Sequence, residues 1–118
     1  MKKNDVEKTL KKGLVSNTPH VTIYTLANPI KNNQLKAQVA VVVSKKVHAS
    51  AVQRHKYQRW MREIVAGLRE ETPNNLMFVL IAKPSIREVS SFVKLQEALS
   101  AQLIKQVERL KNLSKNKP

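Results

Sequence analysis

Arg54, His55, Gln58, Arg59 and Arg62 stand at spacings that gather them on one side of a helix. Arg54, Gln58 and Arg62 make an i, i+4, i+8 row, and His55 with Arg59 makes the row beside it. A guanidinium is a planar, permanently charged fork whose N–H groups match phosphate oxygens and base edges. Like charges one turn apart, as at Arg59 and Arg62, disfavour an isolated helix by about 0.2–0.5 kcal/mol per pair. Tolerating them makes sense where something outside the chain supplies the negative charge. Lys45 and Lys46 lie just ahead of this segment and carry the same sign. The chemistry on offer is recognition of a polyanion, and nucleic acid is the leading candidate. A solvated face with incidental arginines is the ordinary alternative, but a single sign kept over two turns favours binding.

Other chemistry finds little footing. The histidines are His20, His48 and His55; the last two are seven residues apart across an expected loop-to-helix boundary, a poor ligand pair. Most of the eight acids fall in the C-terminal half, none at metal-ligand spacing with a histidine on one helical face. There is no cysteine, which excludes disulfides, thiolate metal sites and a cysteine nucleophile. Gly13 and Gly67 are the two glycines, too few for a glycine-rich phosphate loop. No serine has an arguable histidine and aspartate partner. Neither an independent catalytic site nor a protein-held metal is expected.

The charge is distributed as unevenly as the motif suggests. From Lys8 to Arg62 there are eleven lysines and arginines and no aspartate or glutamate. Such a stretch cannot neutralise itself through internal salt bridges. The formal net charge is +14 with a pI near 10.4, while 42% of residues are hydrophobic, enough for a packed core. The 118 residues fit one domain, 1–118, with a frayed tail over 114–118. The longest apolar run, Leu76–Ala82, is far too short to span a bilayer, and no apolar signal-peptide core follows Lys2 and Lys3. A cytoplasmic location is expected.

The elements that must position the basic residues follow from periodicity. Asn4 with Glu7 forms a capping box for a first helix whose apolar stripe is Val6, Leu10 and Leu14, and Gly13 ends it. Val21–Leu26 alternates as a half-buried strand, and Asn28-Pro29 with Lys31–Gln34 makes a loop. Val39–Val43 is a β-branched run that reads as a central strand, with a small further strand around Gln34–Ala37. A helix follows over Ala51–Leu68, with Tyr57, Trp60, Met61, Ile64 and Leu68 in one apolar arc and Trp60 largely buried. Arg69 extends its basic side. Glu70–Asn75 breaks the helix at Pro73, and Leu76–Ala82 is a second buried strand closed by Lys83-Pro84. Ser85 with Glu88 caps a short helical turn, and Ser91 caps a last helix carrying Phe92, Leu95, Leu99, Leu103, Val107 and Leu110. The class is α+β in the order α-β-β-(β)-α-β-α, a small sheet packed by helices. The helix between Val39–Val43 and Leu76–Ala82 makes those strands parallel, adjacent or separated by another.

At these residues the chain resembles the protein subunit of bacterial ribonuclease P. That family carries a strand ending in Val-Ser-Lys-Lys-Val and, on the following helix, Ala-Val-x-Arg-Asn-x-x-Lys-Arg-x-x-Arg-Glu. Here the residues are Val43-Ser44-Lys45-Lys46-Val47, then Ala51-Val52-Gln53-Arg54-His55-Lys56-Tyr57-Gln58-Arg59-Trp60-Met61-Arg62-Glu63. His55 stands where the family usually has asparagine and Gln58 where it usually has lysine. Val6 or Leu10 replaces the phenylalanine of its first helix.

The resemblance implies a left-handed βαβ crossover, against the right-handed default. It implies a protein that binds a large catalytic RNA, which hydrolyses precursor tRNA at its 5′ end with Mg2+ held mainly by that RNA. Carried over by motif position, Lys45, Lys46, Arg54, Arg59 and Arg62 would contact the catalytic RNA, with His55 and Lys56 beside them. The sheet and first helix would hold the 5′ leader, where Tyr24 would offer a stacking face; Tyr24 reads equally well as packing at the core edge. The alternative is a non-catalytic ribosomal or other structured-RNA-binding protein. A helix-turn-helix DNA reader fits less well, because a strand rather than a helix precedes the basic helix.

Overall fold

The computed structural model describes residues 3–27, 38–68 and 76–115. Asn28-Pro29, Lys31–Gln34, the strand expected around Gln34–Ala37, Arg69, the Glu70–Asn75 break and tail residues 116–118 lie outside the described residues. The elements are α1 (Lys3–Lys12), β1 (Leu14–Asn17), β2 (Val21–Ala27), β3 (Gln38–Val42), α2 (Ala51–Ala66), β4 (Leu76–Ala82), a 3-10 turn (Pro84–Glu88) and α3 (Phe92–Lys115). The α+β class expected from the sequence is the one observed.

The sheet order is β1-β2-β4-β3. Strand β4 is central, antiparallel to β2 and parallel to β3. Its run Leu76-Met77-Phe78-Val79-Leu80 is buried on both faces, as a continuous apolar strand must be. Strands β3 and β4 are adjacent and parallel. The expectation that Val39–Val43 is central is corrected, because β3 is an edge strand. Its apolar run has another cause: Val41 and Val43 pack in the core with α2, while Val42 is exposed.

One face of the sheet carries the main core. Val21, Ile23, Val41, Phe78 and Leu80 meet Tyr57, Met61, Ile64 and Val65 of α2 and Leu95, Leu99, Leu103 and Val107 of α3. Burying each such aliphatic side chain stabilises by about 1.5–3 kcal/mol. On the other face Met77 and Val79 are fully buried where α1 packs on β4 and β2. Trp60, expected to be largely buried, is half-buried and meets the rings of Tyr57 and Phe92 edge-on at 5.8 and 6.2 Å.

Around β1 the structure departs furthest from the elements expected of the sequence. Helix α1 already includes Asn4, so the predicted cap falls inside the first turn. Leu10 is exposed and Thr9 is the buried residue; its hydroxyl donates to Asp5 O at 2.7 Å. Leu14, read as the end of the helical stripe, begins β1 instead. The strand pairs antiparallel with β2 through a turn in which Thr18 Oγ1 accepts from Val21 N–H at 3.0 Å. Buried Gln106 of α3 donates through Nε2 to Leu14 O at 2.7 Å, and Gln102 Nε2 donates to Ser16 Oγ. Two glutamines one turn apart thus tie α3 to this short edge strand. Ser85 does not cap; its hydroxyl donates to Pro19 O at 2.8 Å and fastens the 3-10 turn to the hairpin. Ser91 does cap α3, accepting from Lys94 N–H at 3.3 Å.

Gly13 lets α1 run directly into this hairpin. A Cβ there would lie 2.5 Å from Thr9 O and 2.9 Å from Thr25 O, both backbone atoms that cannot rotate away. Gly13→Ala must push the end of α1 off β2, and we expect it to lower unfolding stability by about 1–3 kcal/mol. Urea denaturation followed by circular dichroism measures this; an unchanged midpoint would show that the close approach is dispensable.

Candidate nucleic-acid interface

The basic surface starts in the connection between β3 and α2. Val43 and Val47 are both buried, and Val47 N–H donates to Ser44 O at 3.0 Å. The two valines pin a tight turn whose tip is Ser44-Lys45-Lys46, so both lysines point into solvent. Ser50 then caps α2: its Oγ accepts from Gln53 N–H at 3.4 Å, and its own N–H donates to His48 Nδ1 at 3.0 Å. The helix begins at Ala51 as expected, and Ser50 before the apolar-periodic run is the usual sequence signal of such a cap, one not drawn on above.

Burial of Tyr57, Met61, Ile64 and Val65 turns the opposite face of α2 outward. His55, Arg59 and Arg62 are exposed on that face, and Arg54 and Gln58 are half-buried along its flank. Arg54 is engaged by the protein itself. Its Nη1 donates to His48 O and Ala49 O, each at 2.9 Å. Lys56 also leans inward, its Nζ 5.0 Å from the ring centroid of Tyr57 and 5.1 Å from that of Trp60. Such cation–π placement holds an ammonium without neutralising it. The structure therefore gathers Lys45, Lys46, His55, Arg59 and Arg62 as the outward set, and Arg54 and Lys56 as charges fixed against the protein.

Electrostatically the arrangement runs against helix stability. Helix α2 has no acidic residue in its first turn. Arg54 and His55 closely follow the first turn, near the end where the macrodipole contributes about half a positive charge, while Arg59 and Arg62 lie further along the helix. Among the described residues no carboxylate pairs with Lys45, Lys46, Arg59 or Arg62, although Glu63 follows one turn after Arg59. Two ammonium groups and two guanidinium groups make a field suited to phosphate oxygens.

Tyr24 lies apart from this set. Along β2 it alternates with buried Ile23 and Thr25, so it sits on the sheet face that α1 partly covers. In register it stands between Val15 of β1, which is exposed, and Val79 of β4. On the same face the row Thr22, Ile81, Val42 crosses to β3, the strand from which the lysine turn departs. Among the described residues no group of three or more histidine, aspartate or glutamate side chains is placed to hold a metal ion, and no helix is long and apolar enough to cross a membrane.

Comparison with known proteins bears on the fold and the family. Solved ribonuclease P proteins share the fold: that of Thermotoga maritima at a TM-score of 0.72 and 22% identity, covering 86% of this chain and 90% of that one. The Staphylococcus aureus protein superposes at a TM-score of 0.71 and 23% identity, over 91% of this chain and 94% of that one. In sequence, the ribonuclease P protein components of Lactobacillus johnsonii and Lactobacillus gasseri are 33% and 32% identical over 84 residues. Each alignment takes in 71% of this chain but 66% of the relative, just under two thirds of its length. The ribonuclease P family model matches residues 1–109, and the chain belongs to that family.

Proposed function

We propose that this chain is the protein subunit of a ribonuclease P ribonucleoprotein, docking on a catalytic RNA and assisting maturation of tRNA 5′ ends. The observation that carries the reading is the outward set Lys45, Lys46, Arg59 and Arg62, unpaired among the described residues, on a chain of this family. Arginine and lysine held on a turn and helix recognise phosphates without the backbone having to be ordered on binding. His55, in the middle of the same face, offers a ring N–H to RNA. Catalysis is assigned to the RNA, and magnesium to RNA phosphates, with the protein lowering the repulsion between catalytic RNA and precursor tRNA.

The open strip of the second sheet face is the proposed track for the 5′ leader. Tyr24 would stack a leader base there, a contact worth about 1–3 kcal/mol per base where it forms. The row ending at Val42 would lead the leader toward the Lys45–Lys46 turn, so that one continuous RNA surface wraps the β3 edge.

Two experiments test this reading. In reconstitution with its cognate ribonuclease P RNA, the protein should allow precursor tRNA cleavage at magnesium concentrations where the RNA alone is slow. No gain with folded components, or recovery of ribosomal RNA in place of ribonuclease P RNA with the tagged protein from cells, would favour a different structured-RNA partner. Secondly, Arg59→Ala and Arg62→Ala should each weaken binding to that RNA and flatten the plot of log affinity against log salt, by up to about 0.7–0.9 per lost phosphate contact. Unchanged slopes in both variants would mean that the arginine face is merely solvated.

A further inference from the structure

Arg54 differs from its neighbours in what it touches. The three residues His48, Ala49 and Ser50 link the buried Val47 to the first turn of α2. Ala49 is exposed and has no side chain with which to anchor this link. Its geometry is held by polar contacts instead. Arg54, one turn into the helix, reaches back so that Nη1 donates to the two successive carbonyls His48 O and Ala49 O, both at 2.9 Å. In the same link Ser50 N–H donates to His48 Nδ1 at 3.0 Å, and Arg54 N–H donates to Ser50 O at 3.1 Å. The guanidinium thus closes a ring from helix to loop across the joint between the two halves of the basic surface, Lys45–Lys46 on one side and Arg59–Arg62 on the other.

Resting on the RNA-docking reading above, we propose that Arg54 is a positioning residue, whose main contribution to RNA binding is to lock the His48–Ser50 joint. It sets the angle between the lysine turn and the arginine face before RNA arrives. A lysine replaces it poorly: its ammonium ends one bond short of Nη1 on a flexible stem, without the rigid guanidinium plane that holds Nη1 against both carbonyls. Loss of the clamp frees backbone that must be ordered again on binding. Fixing one residue costs about 1–2 kcal/mol, so the affinity lost is roughly five- to thirty-fold. The phosphates contacted stay the same in number.

The test compares Arg54→Met, Arg54→Lys, Arg59→Met and Arg59→Lys in the full chain. Affinity for the cognate ribonuclease P RNA is titrated over a salt series, and hydrogen exchange at the Ser50 amide is followed in the free protein. For both Arg54 variants the expected result is weaker binding at every salt concentration, an unchanged salt slope and faster exchange at Ser50. For Arg59→Met the expected result is a flatter slope with Ser50 exchange unaltered, and Arg59→Lys should recover most of the affinity. Arg54→Met that flattens the slope as Arg59→Met does, Arg54→Lys that restores binding, or Ser50 exchange at the parental rate would each overturn the proposal. Failure of the docking reading looks different: Arg59→Met would change neither affinity nor slope, while Ser50 exchange in the free protein still decides whether Arg54 orders the joint.

Discussion

Burial of one stripe of α2 fixes the direction in which the charge of this protein points. Tyr57, Met61, Ile64 and Val65 have one place to go, against the sheet and α3, and Met61 is 0% exposed there. Once they are in place, the residues at the intervening helical positions must face water. Those residues are His55, Arg59 and Arg62, with Arg54 and Gln58 on the flank. The helix does not favour this charge by itself, since like-signed neighbours oppose it. The apolar stripe outweighs them, because burying one large side chain is worth more than a like-charge pair costs. The protein can therefore hold a positive surface with no paired counter-charge among the described residues.

The same logic extends to the turn ahead of α2. Val43 and Val47 are buried on either side of an exposed Ser-Lys-Lys tip, so packing at two positions aims charge at the positions between them. Strand β4 makes this possible from the centre of the sheet. Its hydrogen bonds reach β3 on one side and β2 on the other, coupling the strand that launches the lysine turn to the strand that carries Tyr24. At the far edge, Gly13 and the pair Gln102 and Gln106 hold the short β1 hairpin in place. Two surfaces on opposite sides of one sheet are thereby kept in fixed relation.

Much of this was legible in the sequence, for reasons that differ by element. Helix α3 showed itself through Leu95, Leu99, Leu103 and Val107, whose spacing allows little else. Strand β4 showed itself through an unbroken apolar run. Strand β3 has a similar run but lies at the edge: Val41 is 9% exposed under the helices and Val42 is 41% exposed on the open face. Composition alone cannot separate a strand covered on both faces from one covered on a single face. Strand β1 went unseen because four residues are too few for a period, and its partners Gln102 and Gln106 look like ordinary polar positions until a strand's carbonyl lies opposite. At the basic surface the residue types were legible and their partners were not. A guanidinium that clamps carbonyls and one that faces water are the same letter, and only the His48–Ser50 geometry tells Arg54 from Arg59.

The central claim is that the lysine turn and the outward face of α2 are where RNA docks. Residue-resolved chemical modification tests it most directly, with lysine acylation and histidine carbethoxylation read by mass spectrometry in the free protein and in its complex with ribonuclease P RNA. The account predicts strong protection of Lys45, Lys46 and His55 in the complex, and near-unchanged reactivity of Lys94 and Lys105 on the exposed side of α3. Protection of the α3 lysines with Lys45, Lys46 and His55 as reactive as in the free protein would contradict it.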